Sequence, residues 1–442
     1  MSDAVRSSVE LADLARDPGP CPQARVSASA AALVGSEILK IASEIRALGA
    51  AGKQICDLTV GDFSPRHFPI PDRLRDGVSA ALERRETNYP PATGMLALRQ
   101  AVRRLYAREL GLDYPLESVL VAGGARPAIY CTYRTVCDPG DRVVFPVPSW
   151  NNNHYSHLVG AISVPVVCRP EQRFMPTWAA LREALPGARL LCLNSPLNPA
   201  GTAIEAEALA SICAAILEEN ESRARSGARP LYLMYDQIYW MLCFGGTVHV
   251  TPPGLLPEMA RYTILVDGIS KSFAATGLRV GWAVGPTDIM ARMSAVLGHV
   301  GAWAPRAEQV ATVELLDDAP ATREFLATFT RRIERRLDLL HAGFQELKGR
   351  GLPVDSIAPM GAIYLTARIH PFGRRTPQGI VLATNEEVRR FVLAAAGIGI
   401  IPFQAFGSMD EDGWFRLSVG AVGEADIEAA LPRLAEALRL LT

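Results

Sequence analysis

Neither sign of charge prevails in this chain: 45 Lys and Arg face 46 Asp and Glu, for a formal net charge of −1. A nucleic-acid binder ordinarily carries a basic excess to meet phosphate, and none is present here. Long apolar runs are missing too. The longest stretch without Asp, Glu, Lys or Arg, residues 143–168, holds Asn151, Asn152, Asn153, His154 and His157 among prolines and serines. It is too polar to span a bilayer. No positively charged opening followed by an apolar segment begins the chain, which argues against secretion. The eight cysteines form no CxxC pair and no metal-ligand spacing, and several sit in apolar runs such as Leu190-Leu191-Cys192-Leu193. They read as small reduced core residues, and a cytoplasmic protein is the expectation.

What is present is material for a large core. The 442 residues are 49% hydrophobic and 21% charged, ordinary for a globular protein and long enough for more than one domain. Residues 1–30, rich in Ser, Ala, Asp and Pro without an apolar period, read as a flexible arm. Leu74, Val78 and Leu82 recur at helical spacing and predict one buried helix face. Seven β-rich runs follow: 119–122, 142–145, 162–167, 190–193, 231–235, 264–266 and 280–284. Helical stretches separate most of them, notably 205–222. That alternation predicts an α/β unit with a mostly parallel seven-stranded sheet flanked by helices. Past residue 305 a long charged helix over 320–348, short strands near 362–367 and 414–419, and a terminal helix from 424 predict a smaller α+β unit. The basic run Arg331-Arg332-Ile333-Glu334-Arg335-Arg336 reads as a solvated helix face.

Lys271, in Asp267-Gly268-Ile269-Ser270-Lys271, follows an apolar strand. A lysine at such a mouth loses hydration, which frees its amine for Schiff-base chemistry. Arg279 stands eight residues on. The loop Asn194-Ser195-Pro196-Leu197-Asn198-Pro199-Ala200-Gly201-Thr202 and the segment Asp236-Gln237-Ile238-Tyr239 each follow another apolar strand. Ligands of parallel sheets bind at such carboxyl ends. Gly123-Gly124-Ala125-Arg126 joins a strand to a helix, where free backbone N–H groups can cradle a phosphate.

Together with Asn88-Tyr89-Pro90-Pro91-Ala92-Thr93-Gly94, Asp138-Pro139-Gly140-Asp141 and Phe415-Arg416-Leu417-Ser418, these segments resemble the fold-type I, pyridoxal-phosphate-dependent aminotransferases of class I/II. The resemblance runs from about residue 55 to about residue 425, in the family's order and spacing. It implies a large pyridoxal 5'-phosphate (PLP) domain over 72–304 and a small domain formed by 31–71 and 305–442. It further implies that Lys271 holds the cofactor and shuttles the reaction's proton. Asp236 would pair with the pyridine nitrogen, Asn198 and Tyr239 would reach the ring's 3'-oxygen, and Trp150 would stack on the ring. The phosphate would meet the N–H groups of Ala125 and Arg126, Arg279, Ser270, and Tyr89 from a partner subunit. Arg416 would fork onto the substrate α-carboxylate, with Gly61 and Asn194 assisting. No metal is implied.

One departure stands out. Many relatives place a serine where this chain has Gly268, and the Arg126 side chain is the candidate to compensate. Ala125 brings no cation to the phosphate turn, while Trp303 and Phe68 suggest an aromatic pocket wall. That favours neutral amino-acid substrates, unless Arg306 supplies a positive charge. The implied reaction is amino transfer from an L-amino acid to a 2-oxo acid by a ping-pong route, on a homodimer with shared sites. A lyase, decarboxylase or amino-acid oxidase on the same scaffold is the alternative. A regulator of this fold would add a DNA-binding domain, and the leader of some 30 residues is too short for one.

Overall fold

The computed structural model describes residues 25–33, 35 and 37–442. The arm expected over 1–30 therefore lies outside the described residues up to 24. Its last part holds one helical turn, Ala28–Ala31, capped by Ser27, whose hydroxyl accepts from the Ala30 N–H at 3.2 Å.

Within residues 37–442 the chain forms thirteen strands. They are β1 (Cys56–Asp57), β2 (Val119–Ala122), β3 (Arg142–Val147), β4 (Ile162–Val167), β5 (Ala188–Asn194), β6 (Tyr232–Asp236), β7 (Thr263–Gly268), β8 (Gly281–Val284), β9 (Val354–Ser356), β10 (Tyr364–Ile369), β11 (Ile398–Gly399), β12 (Ile401–Pro402) and β13 (Trp414–Ser418). Seven of them make one sheet in the order β2-β8-β7-β6-β5-β3-β4. Only β8 runs against its neighbours, and the other pairings are parallel. The seven apolar runs of the sequence become β2 to β8.

Parallel strands are covered on both faces, so their sequences read as unbroken apolar runs. Along β5, Leu191 and Leu193 enter one core while Leu190 and Cys192 enter another, the alternation that a strand imposes. Helices Ala125–Val136 and Ala206–Ser226 make crossovers, the second ending at Gly227 in the left-handed region with φ 70°. Since β2, β3, β5, β6 and β7 share one direction and β8 the opposite, one edge collects the residues after Ala122, Val147, Asn194, Asp236 and Gly268, and those before Gly281.

A second, antiparallel sheet has the order β12-β13-β10-β9, and β1 pairs with β11. Helices Ala319–Gly349, Asn385–Ala396 and Glu424–Arg439 close a separate core over it, containing Ile333, Leu365, Val392, Leu417 and Ile427. Six of the seven described cysteines are buried, in keeping with core residues. No described helix is long and apolar enough to cross a membrane.

Two readings of helix faces need correction. Helix Asp72–Glu83 buries Leu74, Gly77 and Ala81, while Leu82 is 53% exposed. A strict i, i+4, i+8 spacing drifts around the helix, whereas the buried stripe here follows i, i+3, i+7. Gly77 permits this contact: a Cβ there would stand 3.0 Å from the Ala311 Cβ. In the basic run, Arg336 is not solvated. It is 5% exposed, donates to the Val422 carbonyl at 3.0 Å, and lies 4.8 Å over the Phe68 ring.

Candidate active site

Lys271 sits in a short helical turn, Ile269–Ser272, directly after β7. The turn is set by a glycine pair: Gly268 faces Gly281 across the β7–β8 ladder. A Cβ on Gly268 would lie 2.7 Å from both the Gly281 Cα and the Val280 carbonyl oxygen. Packing thus explains the missing serine. Gly268→Ser is expected to cost roughly 1–3 kcal/mol of stability, seen as a lower melting temperature. An unchanged melting temperature would refute this close approach.

The half-buried Lys271 amine donates to the Gly61 carbonyl at 2.7 Å. Desolvation, opposed by Asp62 and reinforced by Arg416, Arg126 and Arg279, lowers its pKa from 10.5 to about 8. Asp236 ends β6 and accepts from the Ile238 N–H at 3.1 Å. Burial raises its carboxyl to about 6, against the pull of that N–H and of Lys271.

Asn194 ends β5 opposite Asp236. Its Nδ2 donates to the Asp236 carbonyl and its Oδ1 accepts from the Asn198 N–H, both at 2.8 Å. Each end of the Asn194 amide thus makes one bond inside the protein, fixing the Asn198 loop to β6. The Asn198 Oδ1 accepts from Arg416 Nη1 at 3.1 Å.

Arg416, in the middle of β13, is 1% exposed. Its Nη2 donates to the Thr59 carbonyl at 2.6 Å, and its Nε is buried without a partner. The rings of Tyr364 and Phe406 flank it at 4.7 and 4.9 Å. No carboxylate pairs with it among the described residues. A buried guanidinium is costly unless an anion meets it, so this one is built for an incoming anion. Gly61 joins the two halves of the site: a Cβ on it would lie 3.0 Å from the Tyr364 hydroxyl and 3.5 Å from Arg416 Nη1. Tyr364 escaped the sequence reading, because a tyrosine in an apolar strand looks like core. Its hydroxyl shares a 2.7 Å hydrogen bond with that of Tyr239.

On the other side, Arg279 donates to the Thr276 and Gly123 carbonyls at 2.6 and 3.0 Å. Gly124 has φ +97°, and a Cβ there would strike Arg279 Nη2 at 2.3 Å, so glycine is required twice over. Ala125 and Arg126 open helix Ala125–Val136, whose first N–H groups have no partner within the helix. The Arg126 guanidinium lies 5.2 Å over the half-buried Trp150 ring and makes no hydrogen bond among the described residues. Ser270 is buried, and its hydroxyl likewise makes none. Around the amine, then, stand the guanidiniums of Arg126, Arg279 and Arg416 against the carboxylates of Asp62 and Asp236. That excess of positive charge, beside free helix N–H groups, suits an anionic cofactor and a carboxylate substrate.

One expectation for the pocket wall fails. Phe68 is 1% exposed and packs against Phe63 and Phe329, so it lines nothing. Arg306 is engaged with Glu86, Nε to Oε2 at 2.5 Å. Trp303 meets Tyr89 edge-on at 5.5 Å between centroids, and Tyr89 is 82% exposed. Both line an open cavity of about 800 Å³ with Leu82, Glu86 and Arg306. Its wall adjoins the glycine turn, since Gly123 N–H donates to the Ala302 carbonyl at 2.8 Å.

Residues 53–434 match the family model for aminotransferase class I and II. An aspartate aminotransferase of Rhizobium meliloti is 31% identical over 405 residues, covering 91% of this chain and 93% of that protein. A probable aspartate/prephenate aminotransferase of Thermus aquaticus is 32% identical, covering 88% and 92%. The crystal structure of an aspartate aminotransferase from Rhizobium meliloti superposes with a TM-score of 0.85 at 29% identity, over 95% of this chain and all of that one.

Proposed function

The chain belongs to the class I and II aminotransferases, and from that premise we propose which of its residues hold cofactor and substrate. It moves an amino group from an L-amino acid to a 2-oxo acid, as its relatives' names describe. We assign PLP to the mouth around Lys271. When bound, that cofactor supplies an electron sink for the negative charge left on the substrate Cα.

In this reading the N–H groups of Ala125 and Arg126, the Arg279 guanidinium and the Ser270 hydroxyl hold the phosphate. Asp236 keeps a proton on the pyridine nitrogen, since a buried carboxylate seeks a cationic partner. Asn198 and Tyr239 hydrogen-bond the 3'-oxygen, and Trp150 covers the ring. Lys271 takes the Cα proton and returns it, a transfer suited to an amine whose pKa lies at about 8. Arg416 and Gly61 orient the α-carboxylate, with Asn194 holding Asn198 in place. The observation that carries the reading is Gly61: its carbonyl accepts from the Lys271 amine, while a Cβ on it would stand 3.5 Å from Arg416 Nη1, a guanidinium without a carboxylate partner among the described residues. The two sheets with separate cores support a large domain over 72–304 and a small one over 31–71 and 305–442.

For the donor, the loss of Phe68 from the wall removes much of the case for neutral side chains. The relatives' names, and the Arg126 guanidinium without a hydrogen-bond partner, support a dicarboxylic donor such as aspartate. Arg126→Ala should lower kcat/KM for aspartate by roughly 10-fold or more while sparing phenylalanine. Equal effects on both donors would contradict a role in reading the second carboxylate.

Exposed Tyr89 and Leu82, with half-buried Trp303, around an open cavity support a homodimer in which Tyr89 reaches the neighbouring phosphate site. Light scattering should give a dimer, and Tyr89→Ala should weaken PLP binding. A fully active monomer would contradict the shared site.

A further inference from the structure

Behind the Lys271 turn lies a set of buried polar groups to which the reaction as described gives no part. Asp267, the residue before Gly268, is 1% exposed. Its Oδ1 accepts from the Gly268 N–H at 2.7 Å. Its Oδ2 accepts from Trp240 Nε1 at 2.8 Å and from the Tyr106 hydroxyl, on helix Leu96–Leu110, at 3.3 Å. That hydroxyl in turn receives Gln237 Nε2 at 3.1 Å and Trp282 Nε1 at 3.2 Å, which leaves its own proton for Asp267. His249 Nε2 stands 3.3 Å from Gln237 Oε1. Burial lowers the His249 pKa to about 3, so the ring is neutral, and facing an oxygen that only accepts, it donates.

Every hydrogen bond in this chain points the same way, from His249 through Gln237 and Tyr106 to Asp267, with Trp240, Trp282 and the Gly268 amide adding donors. A protonated Asp267 would have to donate into groups that themselves donate. Burial raises its carboxyl to about 7, the three donors pull it back, and nearby Asp236 raises it. The titratable groups facing it are Tyr106, His249 through Gln237, and Asp236.

We propose that Asp267 is a positioning residue of the active site: its carboxylate, the common end of a one-way hydrogen-bond chain, fixes the Gly268–Lys271 turn and places a second negative charge behind Asp236. This rests on the assignment of PLP to Lys271 and Asp236. A carboxylate there raises the proton affinity of the groups in front of it, while its bond to the Gly268 N–H holds the strand end from which Lys271 departs. An asparagine keeps the shape but turns an NH₂ toward a donor and removes the charge.

The test is the pH midpoint of the visible absorbance that PLP acquires on joining Lys271, measured with melting temperature on the full-length holoprotein. Asp267→Asn should move the midpoint down by about 0.5–1 pH unit. Tyr106→Phe, which removes one donor and keeps the carboxyl, should move it the same way by less. A merely structural residue would lower the melting temperature and leave the midpoint in place, and that result would overturn the proposal. If Asp267→Asn does not fold, an unmoved midpoint in Tyr106→Phe overturns it equally. Wild-type protein that acquires no such absorbance, or a Lys271→Ala variant that retains it, would instead overturn the cofactor assignment.

Discussion

Replacing Lys271 by alanine is expected to leave a folded protein that binds PLP without a covalent bond and turns over at least roughly 10²–10⁴-fold more slowly. The phosphate cradle and Asp236 stay, so the cofactor still docks. What disappears is the Lys271 amine, held at 2.7 Å by the Gly61 carbonyl. The same amine sets a pH dependence. Its pKa is lowered to about 8 from 10.5, so the neutral, nucleophilic fraction grows as pH rises through 8 and is nearly complete above it. Capture of PLP by the apoprotein should therefore accelerate from pH 7 to 9 and then level off. A rate still climbing steeply toward pH 10.5 would show an ordinary solvated lysine. Near wild-type turnover in Lys271→Ala would remove the residue from the mechanism.

The second large effect belongs to Arg416. Arg416→Lys keeps a positive charge but loses the planar fork, the Asn198 and Thr59 contacts and the stacking on Tyr364 and Phe406. Breaking a buried charge pair costs about 3–5 kcal/mol, which is roughly 10² to 4 × 10³-fold in kcat/KM. Every donor carries an α-carboxylate, so the loss should be similar across aspartate, glutamate and phenylalanine. A loss confined to one donor would place Arg416 in side-chain recognition instead.

The sheet was legible because most of its strands, edge strand β4 apart, are buried on both faces. Runs such as Val119–Ala122 and Leu190–Leu193 carry that burial as unbroken apolar sequence. Lys271, Asp236, Asn198 and Arg279 were legible because each follows or precedes such a run, and parallel strands bring those ends to one edge. Periodicity says that a face is buried, not what covers it. Phe68 therefore looked like pocket wall and proved to be core, and Arg336 looked solvated and proved to lie over that same ring. Long-range pairings were out of reach altogether. Tyr364 meets Tyr239 from 125 residues away, and Tyr106 meets Asp267 from 161. No local pattern announces either contact. The Gly268 departure looked like a lost phosphate ligand, while its cause is the approach of Gly281.

The central claim, a transaminase working through Lys271, is tested most directly by a single half-reaction. PLP-loaded protein mixed with L-aspartate and no acceptor should release one equivalent of the corresponding 2-oxo acid per site and stop, with loss of the lysine-bound absorbance. Added 2-oxoglutarate should restore that absorbance and restart release. Continuous product without an acceptor, accompanied by ammonia or carbon dioxide, would contradict transamination and point to a lyase, oxidase or decarboxylase on the same scaffold.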